Sequence, residues 1–338
     1  MSAGDTTGRS GAEPGRPGAS DDHTFGTLAV TSGDVSLHVT VGGPEGAPVI
    51  VFVHGYPDTS RVWRPVMARL ADRYRVVAYD LRGFGGSTAP AARRYGWSLA
   101  ALTADFIAVA DAVSPDAPVH LVGHDWGSVQ SWAFAVDERA APRIASFTSI
   151  SGPSLDLVRP WVRRAIASPR RLRAVLRQSI ASGYVGFFQL PVIPELFWRV
   201  AGGLVSRGLY AMSGVDDPAA HVAPTFASDA KIGLALYRQN IVRRTAAPLG
   251  LTTGALAMPV QLVVPARDRF LTPALYEDLP SLIPGLVRRD VAAGHWVPLS
   301  HPGPLARWID ELVASIETDA PSGRSLRRAT HRPDRRRR

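Results

Sequence analysis

The chain has 338 residues, 46% of them hydrophobic, so it is long enough to form one large domain around a sizeable apolar core. It contains no cysteine, which excludes disulfides and thiolate metal sites. The formal net charge of +9 is concentrated at the C-terminus, where residues 320–338 hold eight arginines against Asp334, a net charge of +7, leaving +2 on residues 1–319. We therefore expect no nucleic-acid partner, and at most a weak contact of the Arg-rich tail with an anionic surface.

The two ends of the chain lack apolar periodicity, so we predict disordered tails at residues 1–24 and 318–338. Residues 1–22 contain no apolar segment of the kind found in signal peptides, and no apolar run is as long as a membrane span. These features favour a cytoplasmic protein. The sequence leaves open whether it is a monomer or a homodimer.

Strand and helix patterns alternate over residues 25–152, which predicts the first part of an α/β core. Residues 34–41 alternate polar and apolar side chains, whereas residues 49–53 form a β-branched run typical of a strand buried on both faces. Apolar residues recur at helical spacing from Leu99 to Val113. The remaining predicted elements of this part are strands at 75–80, 119–122 and 144–150 and a helix at 127–136.

The alternation stops in the middle of the chain. Residues 153–259 are rich in arginine and aromatic residues, follow a helical pattern and lack a clear buried strand, which predicts a helical cap inserted into the core. The alternation resumes over residues 260–317, the second part of the core. Here we predict strands at 260–264 and 286–291 and helices at 274–283 and 304–316.

The run VHLVGHDWG at residues 119–127 has the pattern of a nucleophile elbow, a tight strand-to-helix turn that exposes one side chain. Asp125 is the central residue, with Gly123 two positions before it and Gly127 two positions after it. A turn with positive φ at its centre leaves no room for Cβ atoms at those two positions. A carboxylate there can attack carbon directly and form an ester. The same five residues also suit a loop in which aspartate only caps a helix.

A nucleophile at the end of one strand needs an acid and a histidine at the ends of later strands, in that chain order. Asp268 follows the predicted strand at 260–264, and His295 follows the predicted strand at 286–291. Taken singly, Asp268 also fits the role of a helix cap, and His295 also fits the role of a buried structural histidine. The three residues at three strand ends in the right order favour a catalytic role.

Over residues 25–317 the sequence resembles the α/β-hydrolase-fold epoxide hydrolases, especially those of actinobacteria, some of which continue into a short-chain dehydrogenase domain. The resemblance is carried by the loop His54, Gly55, Tyr56, Pro57 and by the elbow from Gly123 to Gly127, together with DLRGFGGS at 80–87 and GHW at 294–296. It implies an α/β-hydrolase fold, with a mostly parallel eight-stranded sheet and an inserted helical cap.

The resemblance also implies a mechanism with two steps. Asp125 opens the epoxide and forms an alkyl ester, and His295, oriented by Asp268, activates water to hydrolyse that ester. Two cap tyrosines donate to the epoxide oxygen in this family, and Tyr184 and Tyr237 occupy the matching contexts. The backbone amides of Tyr56 and Trp126 are the expected oxyanion hole, and we expect Pro57 to be cis. The mechanism needs no metal and no cofactor, only a small hydrophobic epoxide and water.

Two alternatives stay open at this point. A haloalkane dehalogenase shares the aspartate, acid and histidine, but holds its halide with N–H donors, and Tyr56 here replaces the asparagine typical of those enzymes. The second alternative is a catalytically idle hydrolase fold that acts as a binding protein, since a fold alone does not establish function.

Overall fold

The computed structural model describes residues 24–164, 168–246 and 256–319. The predicted tails therefore lie almost entirely outside the described residues, as do residues 165–167 and 247–255 of the predicted cap.

Eight strands form one sheet in the order β1-β2-β4-β3-β5-β6-β7-β8. The strands are β1 (Gly26–Ser32), β2 (Val35–Gly42), β3 (Val49–Val53), β4 (Arg75–Tyr79), β5 (Val119–His124), β6 (Ile144–Ile150), β7 (Val260–Pro265) and β8 (Val287–Val291). Strand β2 pairs antiparallel with β1 and β4, and all the other pairings are parallel. The predicted mostly parallel, eight-stranded sheet is confirmed.

Burial along each strand explains which strands could be predicted from the sequence. All residues of β3 and β5 are buried, as expected for central parallel strands. Strand β1 was not predicted, because it lies at one edge of the sheet, is mostly exposed and mixes small polar residues with its apolar ones. Strand β8 forms the other edge and carries Arg288, Arg289 and Asp290.

Along the chain, helices lie between the parallel strands and after the last of them. They are α1 (Arg64–Leu70), α2 (Leu99–Val113), α3 (Trp126–Val136), α4 (Leu155–Arg164), α5 (Pro169–Ala181), α6 (Gly183–Gln189), α7 (Ile193–Met212), α8 (Pro218–His221), α9 (Phe226–Ala246), α10 (Leu279–Leu282), α11 (Val297–Ser300) and α12 (Pro302–Asp319). Helices α2 and α3 pack in the apolar core on one face of the sheet, and α1, α11 and α12 in the core on the other.

The helix predicted at 274–283 differs from the structure, which has a 3₁₀ turn at Pro273–Tyr276 and only the four-residue α10. Pro280 explains the break, because proline has no N–H to donate within a helix and its ring clashes with the preceding turn. The last helix is longer than predicted, since α12 continues to Asp319.

Between β6 and β7 the described residues form helices α4 to α9. Helix α9 is held to the first part of the chain by hydrogen bonds. The amide of Asn240 accepts from the Leu99 N–H at 2.9 Å and donates to the Trp97 carbonyl at 2.8 Å, and Asp229 accepts from the Gly85 N–H at 3.1 Å. None of the helices in the described ranges is both long and apolar enough to span a membrane.

Candidate active site

Asp125 lies at the turn between β5 and α3 with φ 53° and ψ −122°, a backbone conformation that is unfavourable for a residue with a Cβ. The turn is tight on both sides. A Cβ on Gly123 would lie 2.6 Å from the Gly127 carbonyl oxygen, and a Cβ on Gly127 would lie 2.7 Å from the His54 carbonyl oxygen. These distances leave no room for a Cβ at either glycine, and the turn presents Asp125 at the end of β5.

Backbone N–H groups hold the Asp125 carboxylate from two sides. The Tyr56 N–H donates to Asp125 Oδ1 at 2.8 Å, and the Trp126 N–H also bonds to this carboxylate. The Tyr56–Pro57 peptide is cis, as expected from the sequence. Gly55 packs directly on Asp125, since a Cβ on Gly55 would lie 2.5 Å from Asp125 Oδ1. The loop after β3 and the elbow after β5 thus form one compact unit.

His295 lies between the two aspartates. Its Nδ1–H donates to Asp268 Oδ2 at 2.8 Å, and its Nε2 lies 3.6 Å from Asp125 Oδ2. The Asp268 carboxylate also accepts from the backbone N–H groups of Phe270 at 2.8 Å and Leu271 at 3.0 Å. All three side chains are buried. The structure therefore brings together the three residues that the sequence identified at separate strand ends.

The three groups shift one another's pKa values. Burial raises the pKa of Asp125 to about 6, against the opposing effect of His295 and of the two backbone donors. Burial alone would lower the pKa of His295, but the carboxylates of Asp268 and Asp125 raise it to about 9. Burial of Asp268 is outweighed by His295 and by its backbone donors, so the pKa of Asp268 is lowered. The resting site thus favours two carboxylates around an imidazolium.

Two further histidines brace the loops of the site. The Leu81 N–H donates to His54 Nε2 at 2.9 Å, so Nδ1 carries the proton and donates to the Gly55 carbonyl. His124 Nε2 donates to the His295 carbonyl at 3.0 Å. Burial lowers the pKa of both rings, that of His124 to about 3. Both therefore stay neutral and hold backbone in place.

Tyr184 on α6 and Tyr237 on α9 lie next to each other, with ring centroids 6.0 Å apart. The Tyr237 ring also packs edge-on against Tyr56 at 5.1 Å and Trp126 at 5.0 Å, which places it above the loop and the elbow. Burial and the nearby Asp125 carboxylate raise the pKa of both phenols above their usual value. Both phenols are therefore protonated at neutral pH and can donate hydrogen bonds.

A cavity of about 230 Å³ joins these groups. Its lining is almost entirely aromatic and aliphatic. Among the lining residues, the ionisable groups that titrate below pH 10 are the carboxylate of Asp125 and the ring of His295. The lining residues are Tyr56, Pro57, Asp125, Tyr184, Phe187, Phe188, Phe197, Trp198, Val205, Leu209, Tyr237, Phe270, His295 and Trp296.

The largely apolar cap segment at residues 186–198 divides into two groups in the structure. Phe187, Phe188, Phe197 and Trp198 line the cavity. Leu190, Val192, Ile193 and Leu196 instead face outward, with exposed fractions of 44%, 72%, 56% and 56%. Phe270 and Trp296 also line the cavity, although nothing in the sequence pattern marked them as lining residues.

Asp58 was also not identified from the sequence, although it directly follows Pro57. It is buried and accepts from Tyr210 Oη at 2.6 Å and from Trp296 Nε1 at 2.8 Å. Burial raises its pKa to about 6. These bonds connect the loop after β3 to helix α7 and to the residue after His295. In the described ranges, no group of three or more histidine, aspartate or glutamate side chains has the arrangement of a metal site.

Residues 48–302 match the family model of the α/β-hydrolase fold, so the chain belongs to this family. The names of the curated relatives are more specific than this fold family. The chain is 36% identical over 298 residues to "Probable oxidoreductase EphD" of Mycobacterium tuberculosis, an alignment that covers 86% of this chain and 50% of the relative. It is 27% identical over 325 residues to "Epoxide hydrolase A" of the same species, covering 85% of this chain and 97% of the relative. The chain thus spans about half the length of the EphD relatives.

Solved structures agree on the fold. A Bacillus megaterium epoxide hydrolase in complex with an inhibitor aligns with a TM-score of 0.66 and 21% identity, covering 85% of this chain and all of that chain. The Vigna radiata epoxide hydrolase VrEH1 aligns with a TM-score of 0.69 and 21% identity, covering 88% of this chain and all of that chain.

Proposed function

We propose that this protein is an epoxide hydrolase that converts an apolar epoxide into a vicinal diol through an ester on Asp125. The observation that carries the proposal is the shared cavity. A carboxylate, a histidine and two protonated phenols, Asp125, His295, Tyr184 and Tyr237, line one apolar space, and Asp268 bonds to the far side of the histidine. The curated relatives named as epoxide hydrolases support the same reaction.

In the first step, an oxygen of the Asp125 carboxylate attacks an epoxide carbon and the carbon–oxygen bond of the ring breaks. The leaving oxygen becomes a basic alkoxide, so it requires a proton donor. Tyr184 and Tyr237 are suited to this role because both phenols are protonated and line the same cavity as Asp125. One phenol gives its proton to the alkoxide, and the phenolate that remains carries the negative charge that Asp125 has lost.

In the second step, His295 takes a proton from water and the water oxygen attacks the ester carbonyl carbon of Asp125. The ring is neutral at this point, because formation of the ester removes the negative charge of Asp125, lowers the pKa of His295 and lets the imidazolium give its Nε2 proton through water to the phenolate. The N–H groups of Tyr56 and Trp126 already bond to this carboxylate and are suited to stabilise the tetrahedral oxyanion.

When the tetrahedral intermediate collapses, the bond from the ester carbonyl carbon to the substrate oxygen breaks. The diol takes its proton from His295. The carboxylic acid left on Asp125 then gives its proton to His295, which restores the carboxylate and the imidazolium. One water is consumed and all groups return to their starting protonation states.

A haloalkane dehalogenase that uses the same aspartate is the second candidate, and the experiment must distinguish it from the epoxide hydrolase. The residue after Gly55 argues against it, because Tyr56 brings no side-chain amide and its hydroxyl donates to the Ala230 carbonyl at 2.9 Å. A halide leaves without a proton, so that reaction has no use for two buried phenols.

The proposal is tested on His295→Gln by intact-protein mass after separate exposure to an aryl epoxide and to a bromoalkane. Loss of the base should leave the first step working and block the second, so the ester accumulates. We expect a mass gain equal to the whole epoxide, mapped to Asp125, and no gain from the bromoalkane.

Two controls make the result specific. Asp125→Asn in the His295→Gln background should abolish the adduct, whereas His301→Gln, a partly buried histidine beside Ser300, should turn over without accumulating one. An adduct formed only from the bromoalkane, with bromide released, would replace the proposal by the dehalogenase. No adduct from a panel of epoxides and bromoalkanes would favour the idle binding protein.

A further inference from the structure

Helix α7 in the cap is apolar on two opposite faces. Its inner face buries Pro194, Trp198, Gly202, Ser206 and Tyr210, a set spaced four residues apart. A helix on the surface of a protein normally shows polar residues opposite such a face. The outer face of α7 instead carries Ile193, Leu196, Val200 and Leu204, with exposed fractions of 56%, 56%, 80% and 80%. Val192, just before the helix, is 72% exposed and extends this surface.

We call these five residues, Val192, Ile193, Leu196, Val200 and Leu204, the outer α7 face. They cover about 16 Å along the helix, from the rise of about 1.5 Å per residue. Isolated exposed apolar side chains are ordinary, but a contiguous stripe of this kind marks an interaction surface. No contact within the described residues buries it.

The free charges on α7 beside this face are positive. Helix α7 holds Arg199, Arg207 and the single acid Glu195. Glu195 is paired with Arg238 at 2.5 Å, so it does not offset the arginines of α7. Arg199 and Arg207, on α7 itself, are exposed and form no ion pair with any side chain in the described ranges. An apolar stripe flanked by arginines is the pattern of a helix that lies in the interface of an anionic membrane.

A second copy of the chain fits this face less well. A twofold contact places the same surface on both partners, so it would bring Arg199 and Arg207 of one copy close to the same arginines of the other. Anionic lipid offers both an apolar layer for the aliphatic side chains and phosphates for the arginines. We propose that the outer α7 face docks this protein on an anionic lipid bilayer.

The position of α7 connects this surface to the cavity. Val205 and Leu209 of the same helix line the cavity, and Phe197 both lines it and is 38% exposed. Phe197 also contacts Phe187 with ring centroids 5.8 Å apart, so the aromatic lining reaches the surface next to the outer α7 face. An apolar substrate dissolved in the bilayer would enter without crossing water. This last step rests on the proposed function, whereas docking itself does not.

Docking is tested with the full chain by sedimentation with vesicles of phosphatidylcholine alone and of phosphatidylcholine with phosphatidylglycerol. We expect binding to the anionic vesicles and little to the neutral ones. Arg199→Gln/Arg207→Gln should weaken it about 30-fold, since each arginine near an anionic surface contributes about a factor of 5. Val200→Ser/Leu204→Ser should weaken it at least about tenfold, because two aliphatic side chains lose their transfer to the apolar layer.

A matched control is Val242→Ser, a 65% exposed aliphatic on cap helix α9 outside the outer α7 face, which should bind as the parent does. Equal binding by all variants would assign vesicle binding to another segment, such as the arginines of 320–338, and overturn the proposal. A dimer that dissociates in Val200→Ser/Leu204→Ser without vesicle binding would overturn it in favour of a second copy. His295→Gln should bind vesicles normally, so failure of docking and failure of the proposed reaction are separate outcomes.

Discussion

Replacing Gly55 by alanine tests whether the loop after β3 holds Asp125 and its amide donor in register. The added Cβ would lie 2.5 Å from Asp125 Oδ1 and 2.7 Å from the His124 carbonyl oxygen. Carbon atoms normally keep a distance of about 3.5 Å or more from such neighbours, so either the loop or the carboxylate must move by about 1 Å. A displacement of that size at reacting atoms slows a reaction about 100-fold. It also moves the Tyr56 N–H away from Asp125.

The assay is the rate of adduct formation on Asp125 in the His295→Gln background, where the first step is seen alone. Gly55→Ala should slow it about 100-fold and lower the free energy of unfolding by about 1–3 kcal/mol, the usual cost of overpacking. Gly186→Ala is the matched control, because a Cβ on this residue of α6 meets no atom within 4 Å. An unchanged rate of adduct formation in folded Gly55→Ala would refute the role given to this loop.

Two further predictions concern the proton donors and the nucleophile. Tyr184→Phe and Tyr237→Phe keep the ring packing and remove one hydroxyl each, so each should slow ring opening about 100-fold, measured as single-turnover alkylation; unaffected rates in both would remove the phenols from the mechanism. Because the pKa of Asp125 is raised to about 6, its carboxylate becomes protonated as the pH falls through that value, and alkylation by the unsubstituted protein should decrease about tenfold per pH unit below it. A flat rate between pH 4.5 and 7, with folding verified by circular dichroism, would contradict this assignment.

The central site could be predicted from the sequence because its residues are tied to local patterns. A strand followed by a turn that requires glycines identified Asp125, and the ends of two later strands identified Asp268 and His295. Complete burial of β5 and β7 made the ends of these two strands recognisable. The sequence could not show the distances among them, which depend on strand order, and the roles of these residues remain predictions.

Other features depend on contacts between distant segments and left no local pattern. Strand β1 is only weakly amphipathic. Pro280 divides a stretch whose apolar spacing indicated a single helix. The apolar run at 186–198 is uniform in composition, so only the structure separates the part that lines the cavity from the part that faces outward. Asp58 acquires its partners from α7 and from the loop after β8, about 150 and 240 residues away.

The charged edge strand β8 affects how copies of this protein can meet. An open strand edge offers unpaired backbone groups to any other strand, and this is a route to aggregation. In β8, Arg288 pairs with Asp290 at 2.8 Å and Arg289 with Glu311 at 2.7 Å, so charged groups line the edge. Joining two sheets there would require these ion pairs to lose water. The β8 edge of the sheet that presents Asp125 therefore resists pairing with a strand of another copy.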